Sequence, residues 1–277
     1  MSTGNLLTDH PELYEERFPD PDRLAARWAE DTLRRHGAGA QVLDIGCGTG
    51  RDAAWLHNEA GRRVTGLDTS EAMVDHASRR HPGPDYQRAD MRDFDLGRTF
   101  DTVLCLDSAL LYCHTNDDLT SCLAAVRRHL TPGGLLVAEM RNGAFFLGNT
   151  ELLHGPRTAS FEWRGTTHTS HTTLWIDHGA QLLRRRRTWN TDDGTPPQEQ
   201  HSAWRLLFPQ ELRYFLTTAA ARRWSADGPS PPTCPAGSVP RCCSPVPRSP
   251  CCCRCRPGSG CCAPDARAVR WTAPSAR

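Results

Sequence analysis

Asp44 is followed by glycine at positions 46, 48 and 50, an alternation suited to one kind of chemistry: holding a small charged ligand against bare backbone. Val42-Leu43-Asp44-Ile45 reads as a buried strand, and Gly46-Cys47-Gly48-Thr49-Gly50 as the loop that leaves it. A helix opening near Arg51 adds its unpaired N–H groups to the same spot. A second acid, Asp68, ends Arg63-Val64-Thr65-Gly66-Leu67-Asp68, 18 positions beyond Gly50 (68 − 50). A carboxylate there accepts hydrogen bonds from both hydroxyls of a ribose. A third acid, Asp90, follows the strand-like Asp85-Tyr86-Gln87-Arg88 in the run Ala89-Asp90-Met91-Arg92-Asp93-Phe94. On its own Asp90 also reads as a turn-initiating aspartate. Together the three acids sit at the carboxyl ends of three successive strands.

The elements that position them alternate as in a doubly wound α/β domain. Pro21 to Arg35 carries apolar residues at Leu24, Ala25, Trp28 and Leu33 with Gly37 beyond, which predicts an amphipathic helix stopped by glycine. Arg51 to Ala60 is a second helix, and Ser70 caps a third in which Met73 lies one turn in, a core position in preference to a ligand contact. Asp101-Thr102-Val103-Leu104-Cys105-Leu106 is a buried strand; Asn116 or Asp117 caps a helix over Leu119–Leu130; Pro132-Gly133-Gly134 turns into a strand over Leu135–Met140.

The register of the glycines separates two kinds of site. The dinucleotide fingerprint G-x-G-x-x-G, started at Gly46, requires glycine at position 51, which is Arg51. An acid followed by three alternating glycines instead resembles the first motif of the class I S-adenosylmethionine-dependent methyltransferases. That resemblance covers roughly residues 10–140 and extends less specifically to about residue 220. It implies a Rossmann-like, mostly parallel sheet and S-adenosylmethionine as cofactor. Asp44 then serves the ammonium of the methionine half, within the loop Gly46, Cys47, Gly48 and Gly50. Asp68 and Thr69 fall at the ribose, Asp90 at the adenine amino group with Met91 over the ring, and Met73 and Leu106 complete the implied cofactor contacts. The Asp90–Phe94 segment and the order of elements are also similar to sugar N-methyltransferases of antibiotic pathways, implying an amino sugar as one acceptor.

Residues 141–208 change character. Thr172-Thr173-Leu174-Trp175-Ile176 and Ala203-Trp204-Arg205-Leu206-Leu207-Phe208 alternate as antiparallel strands, and such an inserted sheet commonly serves the acceptor in small-molecule methyltransferases. Arg184 to Arg187 could offer forks for a nucleotide-sugar diphosphate, but on a strand only two of the four share a face, and a solvated strand or hairpin is the preferred reading. His154, His168, His171 and His178 lack a recognised ligand spacing, so no metal is expected. A sulfonium already activates its methyl group, leaving the protein to align a nucleophile of a small-molecule acceptor, at nitrogen or oxygen, and exclude water. A base for that nucleophile is sought in Asp107-Ser108-Ala109-Leu110-Leu111-Tyr112-Cys113-His114: His114 first, Tyr112 second, each with a packing role as its alternative. Tyr14, in an N-terminal lid segment, is placed to cap the site.

Domain boundaries are expected at 1–20 for the lid segment, 21–140 for the cofactor domain, 141–208 for the insertion, 209–224 for a last core helix opened by Pro209, and 225–277 for a disordered tail. The chain has 277 residues and a net charge of +1, and all 33 of its Lys+Arg residues are arginine. Residues 226–277 carry seven of those arginines and two acids, so the body is acidic, which argues against a nucleic-acid partner. No membrane-length apolar run or leader is evident, and a cytoplasmic location is expected. The tail holds nine of the 13 cysteines but no Leu, Ile, Phe, Met or Tyr, and cannot build a core. Cys252 and Cys255 have zinc-like spacing without a second pair. A frameshift near residue 221 fits its composition better and would leave the last parallel strand an exposed edge. The alternatives to a methyltransferase are therefore a truncated, non-catalytic remnant and, more distantly, an NAD-dependent enzyme.

Overall fold

The structure is a computed structural model that describes residues 5–148, 153–221 and 271–272. Two short helices, α1 (Leu6–Asp9) and α2 (Pro11–Arg17), precede α3 (Leu24–Arg35). The α/β body then runs β1 (Gln41–Ile45), α4 (Arg51–Asn58), β2 (Arg63–Asp68), α5 (Glu71–Arg80), β3 (Asp85–Arg88), β4 (Phe100–Cys105), α6 (Asn116–Arg128) and β5 (Leu130–Ala138). A short α7 (Gly143–Gly148) leads to β6 (Arg157–Trp163), β7 (Thr166–Asp177), β8 (Leu182–Thr191) and β9 (Gln198–Arg205), then α8 (Pro209–Ala221) and β10 (Trp271–Thr272).

The main sheet has the order β10-β5-β4-β1-β2-β3, parallel except for β10. Strand order reverses between β1 and β4, so a crevice opens above their carboxyl ends, where doubly wound sheets bind ligands. Val42, Leu43 and Ile45 of β1 are all buried, because a central parallel strand is covered on both faces. Each such side chain contributes about 1.5–3 kcal/mol of transfer free energy. The insertion forms a separate antiparallel sheet, β6-β7-β8-β9, as its alternating pattern required.

Several expectations shift at element ends. Helix α3 starts at Leu24 rather than Pro21, because both carboxylate oxygens of Asp20 accept from the Leu24 N–H and Arg23 is left-handed at φ 53°. Helix α6 is capped by Thr115, whose hydroxyl accepts from Asp118 N–H while the Asp118 carboxylate accepts from Thr115 N–H. That reciprocal capping box outcompetes Asn116 and Asp117. Strand β5 begins at Leu130 and runs through Pro132-Gly133-Gly134 instead of turning there. Strand β9 stops at Arg205, short of Phe208.

The expectation of an unpaired β5 edge is corrected at Leu135 and Leu136. Trp271–Thr272 pair antiparallel with Leu136 and Leu135. Two residues supply ladder hydrogen bonds from their backbone alone, so this strand needs none of the apolar alternation by which a longer one is read. The rest of the cysteine-rich tail, including Cys252 and Cys255, and the region of the inferred frameshift beyond Ala221 lie outside the described residues. No described helix is long and apolar enough to cross a membrane.

Candidate active site

The glycine loop sits at the head of the crevice, docked on β2 through Gly46 N–H and Cys47 N–H, which both donate to Leu67 O at 2.7 and 2.9 Å. Gly46, Gly48 and Gly50 have φ of 75°, 54° and 79°, conformations that favour glycine. Their reasons for lacking a Cβ differ, and only one matches the reading of every glycine as ligand clearance. A Cβ on Gly50 would lie 2.6 Å from Ala77 Cβ and 2.7 Å from Tyr86 Oη, and one on Gly46 2.8 Å from Ala109 Cβ. Those two glycines let the loop pack onto the protein. Gly48 has nothing within 4 Å and is the one whose bare side faces open space. Cys47 is accommodated by Gly66 of β2, where a Cβ would meet its sulfur at 2.9 Å.

Asp44 is 4% exposed, and no hydrogen bond from a described residue to its carboxylate is found. Burial, then Asp52, then Asp68, push its pKa up to about 7. Asp68 is fixed differently: one oxygen accepts Gly48 N–H at 3.0 Å, the other Ser70 N–H at 2.9 Å. The acid thus ties the glycine loop to the start of α5, with free lone pairs remaining for hydroxyl donors. Thr69 beside it is exposed. Met73, 3% exposed, fills the core behind Ser70, which caps α5 through Met73 N–H. Leu106 is buried past the end of β4, against Val42 and Leu104.

Asp90 is placed at the end of β3 as expected, but its carboxylate is already engaged. Arg92 clamps it through Nε at 2.9 Å and Nη2 at 2.5 Å, and the Arg92 N–H donates to it at 2.9 Å. This is the turn-initiating geometry, and it holds the Asp90 carboxyl below the usual range. Met91 is half-buried, its sulfur 3.7 Å from Cys113 Sγ.

On the far side of the crevice, Tyr14 Oη of α2 donates to Asp107 at 3.4 Å. Burial and Asp107 push the tyrosine up to about 12, so it stays protonated. Arg51, at the position where a dinucleotide loop needs glycine, donates to Phe18 O at 2.6 Å and lies over the Tyr14 ring. It holds the N-terminal segment down. Asp107 and Ser108 both have positive φ, 46° and 63°, the one pair of adjacent non-glycine residues so strained among those described. Glu139 accepts Asp107 N–H at 2.9 Å and supports that turn. The segment was singled out from sequence, but its strained backbone was not, the only signal being the tolerance of Asp and Ser for such angles.

Tyr112 is 48% exposed beside Trp204, and desolvation of its hydroxyl pushes it up despite the opposing pull of Trp204 and Arg185. His114 lies 2.9 Å from Ala203 O through Nε2. A carbonyl only accepts, so Nε2 carries the proton there and Nδ1 is the ring's acceptor. Arg185 and Arg187 share one face of β8 and pack on Trp204 and Trp189. Burial pushes Arg185 down to about 10, with Arg187 adding repulsion, and burial lowers Arg187 too. Neither has a carboxylate partner among the described residues, whereas Arg184, on the opposite face, pairs with Asp177 at 2.9 Å. Arg187 lines a recess with Arg17, Phe18 and Phe161, between the N-terminal helices and the inserted sheet.

The family model for a methyltransferase domain matches residues 42–134, from β1 into β5. Over these residues the chain is similar to the class I S-adenosylmethionine-dependent methyltransferases. It is 35% identical over 135 residues to the dTDP-3-amino-3,4,6-trideoxy-alpha-D-glucopyranose N,N-dimethyltransferase of Streptomyces venezuelae, a match covering 47% of this chain and 56% of that one. It is 36% identical over 135 residues to the dTDP-4-amino-2,3,4,6-tetradeoxy-D-glucose N,N-dimethyltransferase of Saccharopolyspora spinosa, with 47% and 54% covered. The chain spans about half the length of the curated relatives it matches. Among solved structures it is similar to the sugar N-methyltransferase KedS8 of Streptoalloteichus, at 27% identity and TM-score 0.63, covering 78% of this chain and 86% of that one.

S-Adenosylmethionine is the cofactor of this methyltransferase fold, and the residues present fit it. A buried carboxylate without a donor, Asp44, suits a cationic ammonium. The open side of Gly48 and the doubly anchored Asp68 suit a nucleoside laid along the loop. Asp90 suits the adenine less simply, since Arg92 already takes both of its oxygens.

Proposed function

We propose that the protein is an S-adenosylmethionine-dependent N-methyltransferase whose acceptor is an amino sugar carried on a nucleoside diphosphate. The observation that carries the acceptor class is the Arg185–Arg187 face: two half-buried arginines without carboxylates, on the sheet that borders the crevice. Burying like charges side by side is unfavourable unless a dianion joins them, and the guanidinium fork matches phosphate. The curated relatives are named for dTDP-linked amino sugars, in keeping with that chemistry. The pairing of β10 with Leu135 and Leu136 covers part of the β5 edge and weakens one ground for reading the chain as a remnant, and Arg51, engaged with Phe18 O, stands where a dinucleotide loop needs glycine.

The bound cofactor supplies a methyl group made electrophilic by its sulfonium. The chain's own residues then have three tasks. Asp44 and Asp68 anchor the two ends of the cofactor. Tyr14, Arg51 and Phe18 bring α2 over the crevice and exclude water, leaving the acceptor amine to approach in line. His114 Nδ1 takes the proton of the amine, while Nε2, held on Ala203 O, fixes the ring; Tyr112 keeps its proton and orients the sugar.

Calorimetric titration with S-adenosylhomocysteine, followed by turnover assays, tests this reading. Stoichiometric binding is expected, with turnover of a nucleoside diphosphate amino sugar well above that of the same sugar lacking the nucleotide or bearing hydroxyl in place of amine. Absence of homocysteine-nucleoside binding would sink the cofactor assignment, and equal turnover of the free sugar would sink the acceptor class.

A further inference from the structure

We propose that Glu15, His76 and His81 form a binding site for a borderline divalent cation of the Zn2+ type, which staples α2 to the core beneath the glycine loop. One ligand atom from each residue lies within 4.8 Å of the others. Glu15 Oε1 is 2.7 Å from His81 Nε2, and Glu15 Oε2 is 3.4 Å from His76 Nε2. Ligands bound at about 2.0–2.1 Å in tetrahedral geometry stand roughly 3.3–3.4 Å apart, so the second spacing already fits.

The independent observation is His76 itself. It is 7% exposed, and its Nε2 is buried without a hydrogen-bond partner while aimed at the Glu15 carboxylate. Such an orphaned ring nitrogen is costly unless something accepts its lone pair or proton. Glu15 is held below its usual range by His81, Thr49 and His76 in spite of burial, so it is an anion at neutral pH. No arginine takes part in the cluster. Two imidazoles and one carboxylate are ligands that Zn2+ accepts, with a fourth position left for water. Thr49 lies beside the Glu15 carboxylate and helps to hold it below its usual range.

The placement has a consequence for the crevice. His81 caps α5, and its carbonyl accepts from Tyr86 Oη at 2.9 Å, while the same hydroxyl reaches Gly50 O at 3.0 Å. A cation there joins α2, the end of α5 and the glycine loop in one unit. Tyr14, the neighbour of Glu15, is thereby held on Asp107. The site escapes a reading of spacing because residues five apart do not share a helix face. His81 comes into range only because the helix ends there, at φ −129° and ψ 61°.

The test is titration of the chelator-stripped full chain with Co2+, followed by visible and near-ultraviolet absorption. One equivalent is expected to give bands of nitrogen and oxygen ligands without the thiolate charge transfer that the tail cysteines would produce. Glu15→Gln and His81→Ala should each weaken that binding at least tenfold, while His171→Ala, on an exposed strand position, leaves it unchanged. Added Zn2+ should raise the melting temperature of the wild type and not of Glu15→Gln; circular dichroism of the metal-free variants checks that they fold. No uptake, uptake with thiolate bands, or uptake indifferent to Glu15→Gln and His81→Ala would overturn the proposal. S-Adenosylhomocysteine binding, measured separately, is independent of these outcomes and keeps the methyltransferase reading distinct.

Discussion

The parallel sheet and the inserted sheet face the crevice with opposite charges. At the carboxyl ends of β1, β2 and β5, Asp44, Asp68 and Glu139 are each raised by burial, and no ion pair relieves any of them among the described residues. Across the crevice Arg185 and Arg187 are lowered by burial, likewise without a counter-ion. Elsewhere the same protein pairs its charges readily: Glu30 takes both Arg34 and Arg62, and Arg205 takes Glu211. Buried polar atoms without partners occur elsewhere too, at Asp52 and His76 among others, but these two surfaces set buried acids against buried arginines. A cationic ligand complements one and an anionic ligand the other.

The largest effect expected from breaking this opposition is at Asp44. A charge-assisted hydrogen bond contributes about 1.5–3 kcal/mol, so Asp44→Asn should weaken S-adenosylhomocysteine binding roughly 10- to 100-fold. The wild type should bind evenly above pH 7 and lose affinity below it, up to about tenfold per pH unit, because Asp44 takes up a proton near pH 7. Asp44→Asn should show no such slope. The stability sign runs the other way: a carboxyl with a raised folded pKa contributes stability at acid pH that is lost as pH rises through about 7. At pH 8 the cofactor-free Asn variant should thus melt higher than the wild type. Calorimetry checks both, and a lower melting point would show Asp44 to be structural.

Arg185 and Arg187 probe the opposite surface. Arg185→Gln and Arg187→Gln should each raise KM for a nucleoside diphosphate amino sugar about tenfold, the loss of one charged hydrogen bond, with S-adenosylhomocysteine affinity unchanged. Equal rises for the sugar lacking its diphosphate would mean that the arginines only hold up the sheet.

The two surfaces were not equally legible. Asp44, the glycines and Asp68 could be placed from sequence because backbone geometry fixes them: a strand end, a left-handed loop and a helix cap follow from residue type within a few positions. Arg185 and Arg187 could be placed on one face by strand alternation, but their burial depends on Trp204 and Trp189, whose packing comes from pairing across β8 and β9. The Arg92 clamp on Asp90 and the strained Asp107–Ser108 turn depend on contacts that no periodicity signals. Strand β10 is shorter than any pattern can register.

Within the glycine loop the same distinction, protein packing against ligand clearance, separates two single substitutions. Gly50→Ala drives a Cβ into Ala77 and Tyr86 at an unfavourable φ of 79°, and should cost about 2 kcal/mol or more and lower the melting temperature by several degrees. Gly48→Ala pays only the backbone strain at φ 54°, about 1 kcal/mol, with nothing within 4 Å to strike. Its melting point should hold nearly steady while S-adenosylhomocysteine affinity falls. If Gly48→Ala binds normally, the open side of that residue does not face the cofactor.

His114 carries the smallest expected effect and bridges the two surfaces, since it follows β4 in sequence and bonds to Ala203 of β9. Removal of the ring would confuse a lost base with a lost anchor. Glutamine separates them, because its amide N–H can still donate to Ala203 O while its carbonyl is too weak a base to take the amine proton. His114→Gln should keep the melting temperature and KM and lower kcat several-fold. The effect is modest because a sugar amine also loses its proton to water. If His114→Gln turns over like the wild type while His114→Ala does not, the histidine only fastens the inserted sheet to the core.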